Sequence, residues 1–321
     1  MSSRAPRLPY AEQMLERRHH DPDQHPPLAF PPLRSPVHQL GTVEPFDFSR
    51  RVAVMAIVNR TPDSFYDDGA TFGLQSAVDA VLAAERAGAD IVDIGGQPFA
   101  PGEELSEADE IARVVPVIRA VRERTGVPIS AETYRARVAE ACIEAGAGII
   151  NDTSGLRDEN LARVVAGSGV QLVITHSVAA PRAELARPHY DDVVGEVRVF
   201  LAARAERAIE LGVGEEQLII DPGHDLNKNT LHTLELTRRF DEISSIGFPV
   251  LAAVSNKDFI GETLDREKRD RVSGSLASAV ACILLGARIV RMHNVPEAVD
   301  ATRMTEAILG LRAPAYTRHN L

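Results

Sequence analysis

The sequence predicts a single α/β domain of the (β/α)8 TIM barrel class, and three observations lead there. Short apolar runs recur eight times between residues 52 and 292, each followed by a stretch of helical periodicity. The runs are apolar on both faces, as strands of a parallel sheet covered on both sides must be. Each run also ends on polar or charged residues, which would form a hydrophilic ring at one mouth of a barrel.

In order, the runs are VAVMAIV (52–58), DIVDI (90–94), PISAE (128–132), GIIND (148–152), QLVITH (171–176), QLIID (217–221), PVLAAV (249–254) and RIVRM (288–292). Helical stretches follow them at 75–87, 106–124, 135–146, 159–168, 190–211, 230–245, 267–285 and 296–310. Ser106, with Asp109 three residues later, reads as a helix start, and Gly88, Gly146 and Gly212 read as helix ends. Eight units suit a closed barrel better than an open doubly wound sheet, and no GxGxxG follows the first run, which disfavours a dinucleotide site.

Residues 1–50 are rich in Pro, Arg, His and Asp and lack a sustained apolar period, so they read as a disordered or loosely ordered tail with one short helix around Tyr10 to Arg18. Residues 51–314 read as the barrel and 315–321 as a C-terminal tail. The adjacent His19 and His20 read as solvated surface rather than metal ligands.

The 321 residues are 44% hydrophobic and 25% charged, enough for one large core. A formal net charge of −11 argues against nucleic acid or an anionic membrane as partner, so an anionic ligand would need a local basic pocket. Cys142 and Cys282 lie in apolar helical stretches and read as small buried hydrophobes, which excludes a disulfide framework. No cationic start precedes an apolar run and no stretch of about 18 apolar residues occurs, so a cytoplasmic location is expected.

The strand-end residues are Asn59, Asp93, Glu132, Asn151 with Asp152, His176, Asp221, Ser255 to Lys257, and Arg291 with His293. Buried ionic groups persist only if paired or used. One reading is a self-satisfied ring of ion pairs, in which Asp93 bridges to Lys257 or Arg291. The other is a ligand site whose acids Asp93, Glu132 and Asp221 face cations Lys257, Arg291 and His293, the latter on the last two strands where barrels often bind phosphate. His176 has a second reading as a hydrogen-bonded core residue, while His224 and His232 read as loop and helix-face residues. Thr61, Pro62 and Asp63 suit turn chemistry. No Ser-His-Asp or Cys-His pair, CxxC or HExxH is evident, so any reaction should rest on binding and charge stabilisation.

The strings around these residues carry a family resemblance. Met55-Ala-Ile-Val-Asn-Arg-Thr-Pro-Asp-Ser-Phe-Tyr-Asp67 resembles the first signature of dihydropteroate synthase and Val92-Asp-Ile-Gly-Gly96 the second. Glu132-Thr-Tyr-Arg135, Ile150-Asn-Asp152, Thr175-His176, Ile220-Asp-Pro-Gly-His-Asp-Leu-Asn-Lys228, Ser255-Asn-Lys-Asp258 with Ile260-Gly261, and Arg291-Met-His293 follow in the family's order, so the likeness spans about 52 to 311. It implies transfer of a pterin methyl diphosphate to p-aminobenzoate with release of pyrophosphate, in a Mg2+-dependent barrel that forms homodimers. It further implies that Asp221, Asn151 and Glu132 hydrogen-bond the pterin beside Lys257, and that Arg291, His293 and Asn59 hold the diphosphate. Asn59 would also touch Mg2+, and Asp67 would steady a cationic intermediate. A carboxylate facing an aminopyrimidine edge makes a strong directional pair, and cations at a departing pyrophosphate lower the barrier.

The sequence departs from that pattern chiefly around the second substrate. Where the family reads Gly-Gly-Glu-Ser-Thr-Arg-Pro-Gly, this chain has Gly95-Gly-Gln-Pro-Phe-Ala-Pro-Gly102, so Phe99 replaces a hydroxyl and Ala100 a cation. Asp258 puts an acid where a carboxylated aniline would bind, predicting weak p-aminobenzoate and sulfonamide affinity unless Lys228 or a water offsets it. Glu132 lengthens the usual Asp by one methylene, and Arg60 stands where a small apolar residue is usual, as a partial substitute for the missing cation. These substitutions resemble those of the divergent second paralogue found in actinobacteria, regarded as inactive or of uncertain activity. Three readings therefore stand side by side: an active synthase, a non-catalytic pterin-binding or regulatory protein, and a transferase for another amine.

Overall fold

A computed structural model describes residues 31–41, 44–59, 73–97, 102–183 and 185–319. Eight parallel strands close into a barrel in the order β10-β3-β4-β5-β6-β7-β8-β9. They are β3 (Ala53–Asn59), β4 (Ile91–Gly95), β5 (Ile129–Glu132), β6 (Ile149–Asp152), β7 (Gln171–Thr175), β8 (Leu218–Asp221), β9 (Val250–Ala252) and β10 (Ala287–Met292). All eight expected strands are present, within two residues at each end.

Strand alternation sorts the side chains into two cores. Val54, Val92, Ile150, Ile174, Ile220 and Val290 face outward and pack beneath the surrounding helices. Met55, Ile91, Ile149, Val173, Ile219, Leu251 and Ile289 face inward and fill the lower barrel. Two residues further along the same inward rows stand Asp93, Asn151, Thr175, Asp221 and Arg291, so the pleat that fills the core also carries the polar groups to the C-terminal mouth.

The helices are α1 (Leu74–Arg86), α2 (Glu107–Arg122), α3 (Ala136–Glu144), α4 (Glu159–Ser168), α5 (Val193–Glu210), α6 (Thr230–Arg238), α7 (Phe240–Ser244), α8 (Asp258–Leu264), α9 (Val272–Leu284) and α10 (Val295–Ile308). Ser106 caps α2 by accepting the Asp109 N–H, as its spacing predicts. Gly88, Gly146 and Gly212 take positive φ after α1, α3 and α5. Two expected helices are interrupted. The stretch 230–245 breaks at Arg239, whose guanidinium is drawn onto Glu242 at 2.6 Å and Asp192 at 2.9 Å. The stretch 267–285 begins as a 3-10 turn at Lys268–Asp270 before α9, because Arg271 turns back to donate to the Asn256 carbonyl at 3.0 Å and to Asp258 at 2.8 Å. Helix α8 has no counterpart in the apolar periodicity and is an addition.

The boundary of the N-terminal tail needs correction. Residues 33–41 and 44–50 are built into the fold: β1 (Val37–His38) and β2 (Phe46–Asp47) pair antiparallel, and Leu40, Phe46 and Phe48 join the inward core of the barrel. They seal the end opposite the polar mouth. Gly148, at the start of β6, allows the close approach, since a Cβ there would lie 2.6 Å from the Leu40 carbonyl oxygen. His38 is fully buried, with Nδ1 2.6 Å from Gln171 Oε1 and Nε2 3.0 Å from the Ser35 carbonyl. Pro and charge in this stretch conceal three large apolar residues spaced to meet the barrel floor. Tyr10 to Arg18, His19 and His20 lie outside the described residues.

Cys142 and Cys282 are both buried, as expected, and burial pushes the Cys142 thiol up to about 12. Among the described residues, no helix is long and apolar enough to cross a membrane.

Candidate functional site

The parallel register aligns the strand ends. Asn59 pairs with Gly95, Gly95 with Glu132, and Glu132 with Asn151, so neighbouring strands deliver polar groups to one level. Across the mouth, Arg291 donates from Nε to Asp93 Oδ2 at 2.7 Å and from a terminal nitrogen to Glu132 Oε2 at 2.6 Å. Asn151 Nδ2 donates to the same Asp93 oxygen at 3.1 Å. Strands two and three positions from β10 in the barrel order are thereby joined to it through a single guanidinium.

Burial opposes the charge on Arg291, but Asp93 and Glu132 outweigh it and hold the guanidinium above its ordinary value. Burial pushes the Glu132 carboxyl up to about 7, against the pull of Arg291. Asp221 is likewise raised by burial, opposed by the Gly223 N–H, which donates to Oδ1 at 2.7 Å, and by Lys257. Burial lowers Lys257, partly offset by Asp225 and Asp221, and its ammonium donates to the His224 carbonyl at 2.9 Å. His293 meets Ser255 Oγ through its backbone N–H at 3.1 Å and through Nδ1 at 2.9 Å.

Two acceptor atoms in this cluster, Asp93 Oδ1 and Asn151 Oδ1, are buried with no hydrogen-bond partner among the described residues. A buried acceptor without a donor is costly, so these oxygens mark where a ligand's N–H groups would be received. Alongside lies a cavity of about 360 Å³, lined by Glu132, Tyr134, Ser177, Arg182, Leu226 and Lys228 among others. That volume falls within the range of small-molecule sites.

Asp93, Glu132, Asn151, Asp221, Lys257 and Arg291 thus come together, with His293 on the last strand beside them. Of the alternatives for Asp93, the bridge is to Arg291. Asp152 instead holds its own loop, accepting the Ser154 N–H at 2.7 Å. His176 points outward from the barrel, packs edge-on against Phe200 with centroids 4.8 Å apart, and pairs through Nδ1 with Lys228 at 2.9 Å. It is the core histidine of the two readings, with burial driving its pKa down to about 2. His224 is fully buried and stacks on Phe240, and His232 takes part in the cap of α6.

Asp258 needs correction: it opens α8, is exposed, and pairs with Arg271 at 2.8 Å, so its charge is met by that arginine rather than by Lys228, and it is not among the residues lining the cavity. Asp67, Arg60, Phe99 and Ala100 lie outside the described residues, as does the side chain of Asn59. Lys228 lines the cavity with Asn227, and neither stands at a strand end where the sequence would mark it. Both sit in an aperiodic strand-to-helix connection, where only tertiary packing gives a polar residue its partner.

A family model described as pterin binding enzyme matches residues 55–293. The chain belongs to the pterin binding enzyme family. Within this family it is 43% identical over 277 residues to a Mycobacterium tuberculosis strain H37Rv protein named inactive dihydropteroate synthase 2, covering 84% of this chain and 87% of that one. It is 37% identical over 260 residues to dihydropteroate synthase of Escherichia coli K12, covering 81% and 92%. Among solved pterin binding enzymes, Yersinia pestis dihydropteroate synthase in complex with a sulfonamide drug superposes with a TM-score of 0.81 at 34% identity, covering 86% of this chain and all of that one. The Xanthomonas albilineans enzyme with 4-aminobenzoic acid gives 0.78 at 36% identity, covering 85% and 98%. The chain is therefore a dihydropteroate synthase-like member of this family, similar both to proteins named dihydropteroate synthase and to paralogues named inactive dihydropteroate synthase 2.

Proposed function

We propose that the mouth of the barrel binds a pterin methyl diphosphate and transfers its methylene carbon to the nitrogen of p-aminobenzoate. The C–O bond to the diphosphate breaks with its electron pair leaving on pyrophosphate, a C–N bond forms, and the amine loses a proton to solvent. The observation that carries the reading is the pair of unpartnered acceptors, Asp93 Oδ1 and Asn151 Oδ1, beside the Arg291 cation. Asn151, Asp221 and Glu132 would receive the N–H edge of the pterin, with Lys257 beside its ring. Arg291 and His293 would face the diphosphate, where a positive charge meets the negative charge that builds as pyrophosphate departs.

Mg2+ fits this reading only as an ion brought by the diphosphate. Among the described residues no three His, Cys, Asp or Glu side chains gather as a metal cluster, and Mg2+ held by phosphates needs one or two protein oxygens. Asn59, at the end of β3, is the residue we assign to it, and Asp67, outside the described residues, is assigned the role of steadying a cationic intermediate, as the family resemblance implies. When bound, the ion would screen the phosphate charge. We also propose a homodimer, as the family resemblance implies, and a cytoplasmic location, as the lack of a long apolar run in the sequence suggests.

A second reading is a protein that holds the pterin without turning it over. It is favoured by the relatives named inactive and by the two carboxylates that already occupy Arg291, which leave the cation less able to follow a departing phosphate. Calorimetric titration with the pterin methyl diphosphate and Mg2+, followed by p-aminobenzoate and an assay of released pyrophosphate, separates the two. Binding with release supports transfer, and binding without release selects the second reading. Asp221→Ala and Lys257→Ala should each abolish pterin binding; wild-type affinity in both would remove the proposed pocket.

A further inference from the structure

Asn227 lies in the connection from β8 to α6 with φ +53, in the left-handed region that asparagine enters more readily than most residues. Its Oδ1 accepts three donors at once: Ser177 Oγ–H at 3.1 Å, Val178 N–H at 3.0 Å and Ala179 N–H at 3.0 Å. Its own carbonyl accepts the Tyr190 hydroxyl at 2.9 Å. One residue thus grips both ends of the segment 177–190, and Ser177, Ala180, Arg182, Leu185 and Pro188 of that segment line the cavity together with Glu132 and Tyr134. Midway along, Arg182 donates to the Glu103 carbonyl at 2.9 Å and its own carbonyl accepts the Gly102 N–H at 3.3 Å. The segment is therefore tied both to Asn227 and to the chain that follows β4.

We infer that Asn227 is a specificity-determining positioning residue: by holding the segment 177–190 against the barrel mouth, it limits the size of the arylamine that can lie beside the pterin. The inference rests on the functional reading above for what the cavity receives, but the clamp itself does not. A glycine at 227 keeps the positive φ without a side chain, so it removes the three-donor acceptor while sparing the backbone. An aspartate keeps an oxygen in the same place.

The test compares wild type, Asn227→Gly and Asn227→Asp. Hydrogen exchange is read at the Val178 and Ala179 amides. The Kd ratio of p-aminobenzoate to its amide-linked glutamate derivative is measured with 6-hydroxymethylpterin, Mg2+ and pyrophosphate present. In Asn227→Gly, exchange at both amides should accelerate at least tenfold and the Kd ratio should move about tenfold toward the larger arylamine, while Asn227→Asp restores both. Unchanged exchange in Asn227→Gly overturns the clamp, and faster exchange with an unmoved ratio overturns its role in specificity. If wild type takes up no pterin methyl diphosphate, the functional reading fails, and the exchange measurement still supports or overturns the clamp.

Discussion

Arg291 pairs with two carboxylates from different strands, and neither Asp93 nor Glu132 has another cation within bonding distance among the described residues. Removing one partner of a buried ionic cluster costs more than the cluster contributes, because the remaining charges are left in a poor solvent. Arg291→Met should therefore lower stability by about 3–5 kcal/mol, read from urea unfolding, and abolish diphosphate binding. Loss of binding with full stability would mean that the carboxylates find other partners. Lys228 supplies a pH signature. Burial drives its ammonium down to about 7 from an ordinary 10.5, although His176 Nδ1, the Gly223 carbonyl and the Leu226 carbonyl lie at 2.9, 2.9 and 3.0 Å. Between those values the unfolded chain holds a proton that the folded chain has lost, so stability rises with pH across that window and the gain disappears as pH falls through about 7. Relative to Lys228→Met, wild type should gain up to roughly 1.4 kcal/mol per pH unit between about 7 and 9. A pH-independent difference between the two would show that Lys228 stays charged.

At the scale of elements, the β1–β2 hairpin acts as the barrel floor. Strand interiors supply Met55, Ile91, Ile149 and Ile289, but an open barrel end would leave these facing water. Phe48 and Leu40 cover them, and Phe48 is fully buried. Phe48→Ala should cost about 3–5 kcal/mol, measured by chemical denaturation. A cost below about 1 kcal/mol would place the residue on an ordinary surface. Helix α8 illustrates a different limit. Its seven residues carry no long apolar period, and it forms because the Phe259 N–H finds Asp225 Oδ2 at 3.1 Å and Arg271 donates to the Lys257 carbonyl at its start at 3.2 Å. No local pattern announces such a helix.

For the whole molecule, the two cores share the same strands, so the hairpin, barrel and outer helices should unfold as one unit. Urea transitions followed by circular dichroism and by hydrogen exchange in β1 and β2 should coincide; an earlier transition in the hairpin would show that residues 33–50 are an appendage. The acidic molecule gathers Lys257, Arg291 and His293 at one mouth, beyond β9 and at the end of β10, which is how a chain of net charge −11 would receive the phosphorylated ligand proposed above.

Eight strands and most helices were legible in the sequence, because a parallel barrel demands long apolar runs at a regular interval and the helices need a stripe to cover them. The identities at the strand ends were legible for the same reason: Asp93, Asn151, Asp221 and Arg291 each follow an inward apolar residue by two, and the pleat leaves them no other direction. Only the tertiary structure decided the pairings. That Arg291 takes both Asp93 and Glu132, that Asp258 turns to Arg271, that His176 belongs to the core and that Phe48 closes the floor all depend on contacts between segments far apart in sequence, where residue type states what a group needs but not which neighbour supplies it.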